Sequence, residues 1–319
     1  CFSISRGMDW VRTYQAIPRL IEKQLLYGGA KAILARGEAD ARGDFFGDFD
    51  EWKEKFWTAM RETFGKDGQS QEILPLYRIE NLGPGRIEVL KQPGLQTGTI
   101  LSNVELVDMN HPIGRSKRHM EVELPKGMTY KAGDYLAILP SNPAQSVQRV
   151  LKRFQLENDN QIIIHLQKES LTYLPTGFPI SIKEILRDYV ELAQPATRKQ
   201  VKQLAEACPC PPEKFKLLAF AEEANYTREI LEKRISVLDL MERFAAIDID
   251  LATFLEMLPP LKPRQYSISS SPLWKEDVAT LTVAVLRTQA WSEQGEYQGV
   301  ASNFLANAKP GTKVRIVTR

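Results

Sequence analysis

Residues 180–257 read as helix after helix, yet the stretches on either side read as short strands. Any fold for this chain must let a helical block interrupt a sheet. One stripe is Ile182, Ile185, Leu186, Tyr189 and Val190, and the next is Val201, Leu204, Ala205 and Cys208. Leu217, Phe220 and Ala221 form a third, and Val237, Leu238, Met241 and Phe244 a fourth. Spacing near i, i+3, i+4 puts each stripe on one helix face. These are core stripes rather than cofactor boxes. Pro195 and the run Cys208-Pro-Cys-Pro-Pro separate the helices.

Before the block, from Gly98, the period is two. Met120, Val122 and Leu124 alternate with His119, Glu121 and Glu123, as in a half-buried strand. Gly133–Leu139 reads as another strand, stopped by Pro140-Ser-Asn-Pro143, and Val147, Val150, Leu151 and Phe154 mark a helix. After the block, Leu258–Pro272 places Arg264, Tyr266 and Ile268 on one face and Gln265, Ser267 and Ser269 on the other. Thr280–Leu286 follows, with Leu281, Val283 and Val285 on one face. Short strands with Gly/Pro punctuation predict an antiparallel β-barrel in two parts, 97–156 and 258–319, with a mainly helical domain over 157–257.

Residues 1–65 have a different texture. Ile17, Leu20, Ile21 and Leu25 predict a helix stopped by Gly28-Gly29, then a short strand over Ala30–Ala35 and a loop over Arg36–Gly43. Phe49, Trp52, Phe56, Trp57 and Met60 predict an amphipathic helix. This is a piece of an α/β unit with too little sheet to close a core, so more chain is expected on its N-terminal side. Residues 66–96 read as a linker, with a lone strand possible over Ile73–Ile79. The fold class is therefore multidomain α+β.

Composition narrows function mainly by exclusion. A net charge of +2 implies no global steering toward nucleic acid or a membrane. Cys208-Pro-Cys210 has the wrong spacing for a zinc knuckle, and His111, His119 and His165 are scattered, so no metal site is expected. Cys1, Cys208 and Cys210 read as reduced thiols of a cytoplasmic protein. No run approaches the ~18 apolar residues of a membrane span. A chain opening on Cys1 still leaves room for an anchor before it.

Chemistry concentrates in the last quarter. Arg264 offers a planar fork of donors suited to a phosphate or pyrophosphate. Tyr266 offers a flat face for a planar ring, and the serines beside it add small polar groups. Alone, the stretch fits an edge strand with a serine-rich turn equally well. Gly299-Val-Ala-Ser302 reads as a glycine turn opening a helix, whose free N–H groups would suit a pyrophosphate, with Ser302 adding a hydroxyl. That turn alone also fits a plain helix start. Together, Arg-x-Tyr-Ser, a strand, and a Gly-turn-helix some 35 residues on are more telling.

Arg264-Gln-Tyr-Ser267, Gly299-Val-Ala-Ser302, Gly133–Leu139 followed by Pro140-Ser-Asn142, and the inserted helical block resemble the diflavin reductases of the ferredoxin–NADP reductase superfamily. Arg36–Trp52 and Trp291–Leu305 are most similar to the reductase half of self-sufficient fatty-acid hydroxylases. The resemblance implies FAD held by Arg264 at its pyrophosphate and by Tyr266 against its ring. Ser267 would lie at the ring's reactive edge as the candidate catalytic residue. Thr282 and Ala284 would contact the ring or adenosine side. Gly299, Val300, Ala301 and Ser302 would meet the pyrophosphate. Residues 1–65 resemble the last third of a flavodoxin-like FMN domain, with Trp10 and Asp40 as candidate FMN contacts. Phe2–Gly7 departs from that family's pattern, and its FMN phosphate loop is expected before Cys1. Its NADP domain is expected beyond Arg319. The resemblance therefore implies NADPH as donor and a haem-thiolate monooxygenase as partner in the complete enzyme, with this chain its central piece. Two alternatives stay open: an FAD-binding or interaction fragment without turnover, and a single-flavin reductase. The acidic run Asp40, Asp44, Asp48, Asp50 and Glu51 fits either a docking face for a basic partner or a solvated helix start.

Overall fold

The computed structural model describes residues 2–5, 15–40, 45–65, 75–84, 95–167, 172–291 and 295–319. The chain forms two compact units, one of residues 1–74 and 195–248, the other of 75–194 and 249–319.

In the first unit, Phe2–Ser5 pairs in parallel with Gly37–Asp40. A parallel pair needs a crossover, and the helix Ala16–Tyr27 lies in it. None of that helix's residues is buried. The expected strand over Ala30–Ala35 does not form, and the strand lies at Gly37–Asp40, within the expected loop. Three contacts account for the shift. The Trp52 indole N–H donates to the Ala35 carbonyl at 3.0 Å, engaging backbone that a ladder would need. Glu38 is held by Arg19 at 2.8 Å and also by Arg36, while Ala39 is buried. The amphipathic helix spans Phe45–Phe64, with Trp52 and Phe56 stacked at 5.2 Å. The helices Arg198–Glu206 and Val237–Arg243 each begin with a capping box, Thr197 with Gln200 and Ser236 with Asp239. Lys199 of the first reaches Glu54 at 2.6 Å.

The second unit holds a six-stranded antiparallel sheet. Its spatial order is Val278–Ala284, Lys117–Glu123, Gln96–Glu105, Lys313–Thr318, Tyr135–Leu139 and Arg264–Ser267. Alternation decides the core: Ile100, Met120, Val122, Leu136, Ile138, Leu281, Val283, Val314 and Ile316 turn one way into a single buried cluster. The expected barrel does not close into a continuous ladder. Just beyond Ser267 its two edges are joined by an isolated bridge, Ile268 to Leu281, and by the Ser269 N–H donating to the Thr280 carbonyl at 2.9 Å. Ser269 and Ser270 bond Thr280, through its hydroxyl at 2.8 Å and its N–H at 3.0 Å, and Ser270 also meets the Tyr130 hydroxyl at 2.8 Å. These contacts tie the segment after Ser267 across to the Val278–Ala284 strand, and the turn begins at Ser271, whose hydroxyl accepts from the Leu273 N–H at 3.2 Å. The expected lone strand is instead Tyr77–Pro84, which pairs with Asn160–Leu166 in a three-stranded sheet completed by Pro179–Ser181. Among the described residues no helix is long and apolar enough to cross a membrane.

Leu281 is fully buried and carries the bridge between the sheet edges. Leu281→Ala is expected to cost about 3 kcal/mol through lost burial and a residual cavity. A lower urea midpoint for the second unit's transition would show it, and an unchanged midpoint would contradict this assignment of the core.

Candidate functional site

Arg264–Ser267 is an edge strand whose register is fixed by Tyr135–Leu139. Tyr135 faces Ser267, Leu136 faces Tyr266, and Ile138 faces Arg264. The expected alternation is present: Arg264 and Tyr266 are half-buried, Ile268 is buried, and Gln265, Ser267 and Ser269 are exposed. Tyr266 packs against the main core cluster. Burial pushes its hydroxyl up to about 12, against the opposing pull of the nearby Arg264 charge.

Arg264 is held from two sides. One terminal nitrogen donates to the Lys262 carbonyl at 2.6 Å, the other to Glu191 Oε2 at 2.5 Å. Sequence reasoning missed Glu191. A backbone clamp carries it there: the Glu191 N–H donates to the Pro259 carbonyl at 2.9 Å, and the Leu261 N–H to the Tyr189 carbonyl at 2.8 Å, around a bridge between Val190 and Pro260. The one signal available was a carboxylate inside the apolar run Tyr189-Val-Glu-Leu-Ala193.

The helix expected after the glycine turn spans Val300–Asn307, with Gly299 as its N-cap. A Cβ on Gly299 would stand 2.9 Å from Ser302 Oγ and 3.0 Å from Leu286 Cβ, so the turn is packed around a missing side chain. In this structure the Ser302 hydroxyl is engaged within the turn. Its hydroxyl accepts from the Leu286 N–H at 3.1 Å and donates to the Gly299 carbonyl at 3.2 Å. Asn303 Nδ2 adds bonds to the Leu286 and Gly299 carbonyls at 2.7 and 2.9 Å. These side chains pin the helix start to the end of the Val278–Ala284 strand. The backbone N–H groups of Val300, Ala301 and Ser302, which a helix start leaves without intrahelical acceptors, remain the donors on offer.

Val300 packs with Leu139 and Leu261, and this contact brings the helix start to the Arg264 end of the edge strand. Thr282 and Ala284 are exposed, opposite His119 and Lys117. Carrying the bridge register one step sets Ser267 opposite Thr282. Among the described residues the Ser267 hydroxyl has no partner, whereas Ser269 and Ser270 are engaged by Thr280 and Ser271 by the Leu273 N–H. Ser141 and Asn142 tie the end of Tyr135–Leu139 to the helix Ile182–Asp188. Ser141 donates to Asp188 at 2.6 Å, and Asn142 donates to the Leu186 and Val190 carbonyls at 2.7 and 2.6 Å. A cleft of ≈ 270 Å³ opens between this turn and the Val300–Asn307 helix, lined in part by Asn142, Gln298, Asn303 and Phe304. Asp40 ends the Gly37–Asp40 strand in the other unit, opposite Ser5. Trp10, Asp44 and part of the Trp291–Leu305 stretch lie outside the described residues. Among the described residues no group of three His, Cys, Asp or Glu could hold a metal.

An antiparallel sheet thus sets an arginine fork, a tyrosine and an exposed serine on one edge strand, beside a glycine-opened helix. Residues 99–304 match the FAD binding domain family, and the chain belongs to it. It is 41% identical over 303 residues, 93% of its length, to the bifunctional cytochrome P450/NADPH–P450 reductase of Bacillus cereus. It is 40% identical over 316 residues to a Bacillus subtilis protein of that description. It is 43% identical over 315 residues to the self-sufficient cytochrome P450 monooxygenase CYP505E3 of Phanerodontia chrysosporium. The chain spans 28–29% of the length of these relatives. Their descriptions carry the resemblance read from the motifs.

Two outcomes test this geometry. Gly299→Ala is expected to cost about 1–3 kcal/mol, because the added methyl must displace Ser302 or Leu286; an unshifted melting temperature would contradict it. Tyr266 ionises late, so its contribution to stability is whole below the ordinary tyrosine value of 10.0 and is lost as pH rises toward about 12. Ultraviolet titration of wild type against Tyr266→Phe should show one tyrosine ionising near pH 12, and the variant should lose less stability across that window.

Proposed function

We propose that this chain is the FAD-holding segment of an NADPH-dependent diflavin reductase that delivers electrons to a haem-thiolate monooxygenase. The observation that carries the reading is the meeting of Arg264 and the Gly299–Ser302 helix start at one end of an edge strand, through Val300, Leu139 and Leu261. The residues fit the group. Arg264 keeps N–H groups free beside a half-exposed position, Gly299 leaves a tight cradle, and Tyr266 is held firmly enough to pack a ring. FAD, when bound, supplies hydride acceptance and release of single electrons. The chain's own contribution is binding and orientation: Arg264 and the Val300–Ser302 N–H groups hold the diphosphate, and Tyr266 lies against the ring. Ser267 places a hydroxyl at the ring's edge, and Thr282 and Ala284 complete the exposed face beside it.

The wider assignment rests on the relatives. Residues 1–65 are proposed as part of a flavodoxin-like FMN domain, and the strand Tyr77–Pro84 takes part of the linker expected over 66–96 into the second unit. Residues 97–156 and 258–319 form the FAD-binding part and 157–257 the helical connecting domain. FMN contacts by Trp10 and Asp40, an NADPH site in a further domain, and a cytoplasmic location belong to the same proposal. The reductase part of this proposal is supported by relatives named as fused cytochrome P450/NADPH–P450 reductases, alike over more than nine-tenths of this chain.

Titrating the apo chain with FAD tests the reading. Wild type is expected to quench flavin fluorescence at one equivalent, and Arg264→Ala to bind at least tenfold more weakly, the value of about 1.5–3 kcal/mol for a charged hydrogen bond. Equal flavin affinity in the two proteins would reject the site.

A further inference from the structure

The arginine of this site leans on a carboxylate that no motif marks, and the inference drawn from it rests on the FAD reading above. Arg264 carries five N–H donors. Two are engaged, by Lys262 and Glu191, and among the described residues no acceptor takes the remaining three. The two partners are buried very unequally, with side-chain exposure of 41% for Arg264 and 7% for Glu191. Glu191 stands among apolar neighbours, Tyr189, Val190 and Leu192, all buried. Taking a carboxylate out of water into such a place is costly, and an apolar residue of similar size there is often neutral or stabilising. Packing alone therefore gives little reason for a glutamate at this position.

Position gives a better reason. The clamp between 189–191 and 259–261 fixes Glu191 on the backbone, three residues before the arginine's strand begins. An arginine side chain on an edge strand otherwise loses its orientation to rotamer entropy. Bonded at one terminal nitrogen by Glu191 and at the other by Lys262, the guanidinium plane is set while three donors stay available.

We propose that Glu191 is the positioning residue for Arg264: it fixes the guanidinium plane for a diphosphate and cancels its net charge in the free protein. The cancellation has a consequence of its own. A neutral pair recognises the diphosphate by the geometry of its donors more than by long-range attraction, so binding depends weakly on salt. Removing the negative charge while keeping an acceptor leaves the plane set and the cation uncompensated.

Apo full-length chain titrated with FAD by fluorescence quenching, at low and high salt, tests this. Glu191→Leu is expected to weaken binding about tenfold, the loss of one charged contact. Glu191→Gln is expected to stay within about threefold of wild type at low salt and to show a steeper loss of affinity with salt, as an uncompensated cation would. In the Arg264→Ala background, Glu191→Leu should cost nothing further, since the residue acts through the arginine. An undiminished cost in that background, or wild-type affinity in Glu191→Leu, overturns the proposal. Should Glu191→Leu lack a cooperative melt, the salt dependence of Glu191→Gln decides: a slope equal to wild type overturns it. Wild-type affinity in Arg264→Ala would instead reject the FAD site itself. That result is distinct from an impaired Arg264→Ala beside a normal Glu191→Leu, which rejects only the positioning role.

Discussion

The antiparallel register of Tyr135–Leu139 against Arg264–Ser267 is the constraint on which the site depends. A slip of one residue would turn Arg264 and Tyr266 to the other face and bring Gln265 and Ser267 into their place. Three features hold the register. Leu136 and Ile138 are fully buried, so the inner strand cannot shift without exposing core. The bridge from Ile268 to Leu281 anchors the strand's far end. The clamp at Tyr189–Glu191 anchors the chain that leads in, through Pro259 and Leu261.

That clamp also explains how a sheet tolerates a helical block between two of its strands. The chain leaves after Tyr135–Leu139, and Asn142 donates to the Leu186 carbonyl of the helix Ile182–Asp188 and to the Val190 carbonyl just beyond it. It re-enters at 259–261, paired to 189–191. Exit and entry lie against one another, so everything from 195 to 248 can belong to another compact unit without disturbing the register. Local backbone bonds at the junction make the interruption cheap, because loop closure is already satisfied at its base.

Much of this was legible. Alternation in Arg-Gln-Tyr-Ser fixes which residues share a face, and a glycine before Val-Ala-Ser-Asn opens a helix, because both signals are local. The stripes of 180–257 are likewise local. What was not legible depends on partners far along the chain. Glu191 meets Arg264 only because 190 pairs with 260, a relation no spacing rule contains. The strand at Gly37–Asp40, rather than Ala30–Ala35, is selected by Trp52 and by the parallel partner at Phe2–Ser5. How far the expected barrel closes was not legible either: its edges are joined by the short segment Ile268–Ser270 against Thr280 and Leu281, a long-range relation that the serine run itself does not show.

Ser302 sharpens the point about hydroxyls near a proposed anion site. Motif reasoning assigns its side chain to the ligand, yet both its donor and an acceptor position are spent on Gly299 and Leu286. Asn303 is spent in the same way. The side chains of this helix start serve to hold the backbone still. Arg264 follows the same division, with Glu191 and Lys262 fixing its plane and its outer donors left over. Ser267 is the exception, an exposed hydroxyl bonded to none of the described residues. A donor already held in place pays little entropy on binding. A free hydroxyl on a fixed strand can still rotate to donate or accept.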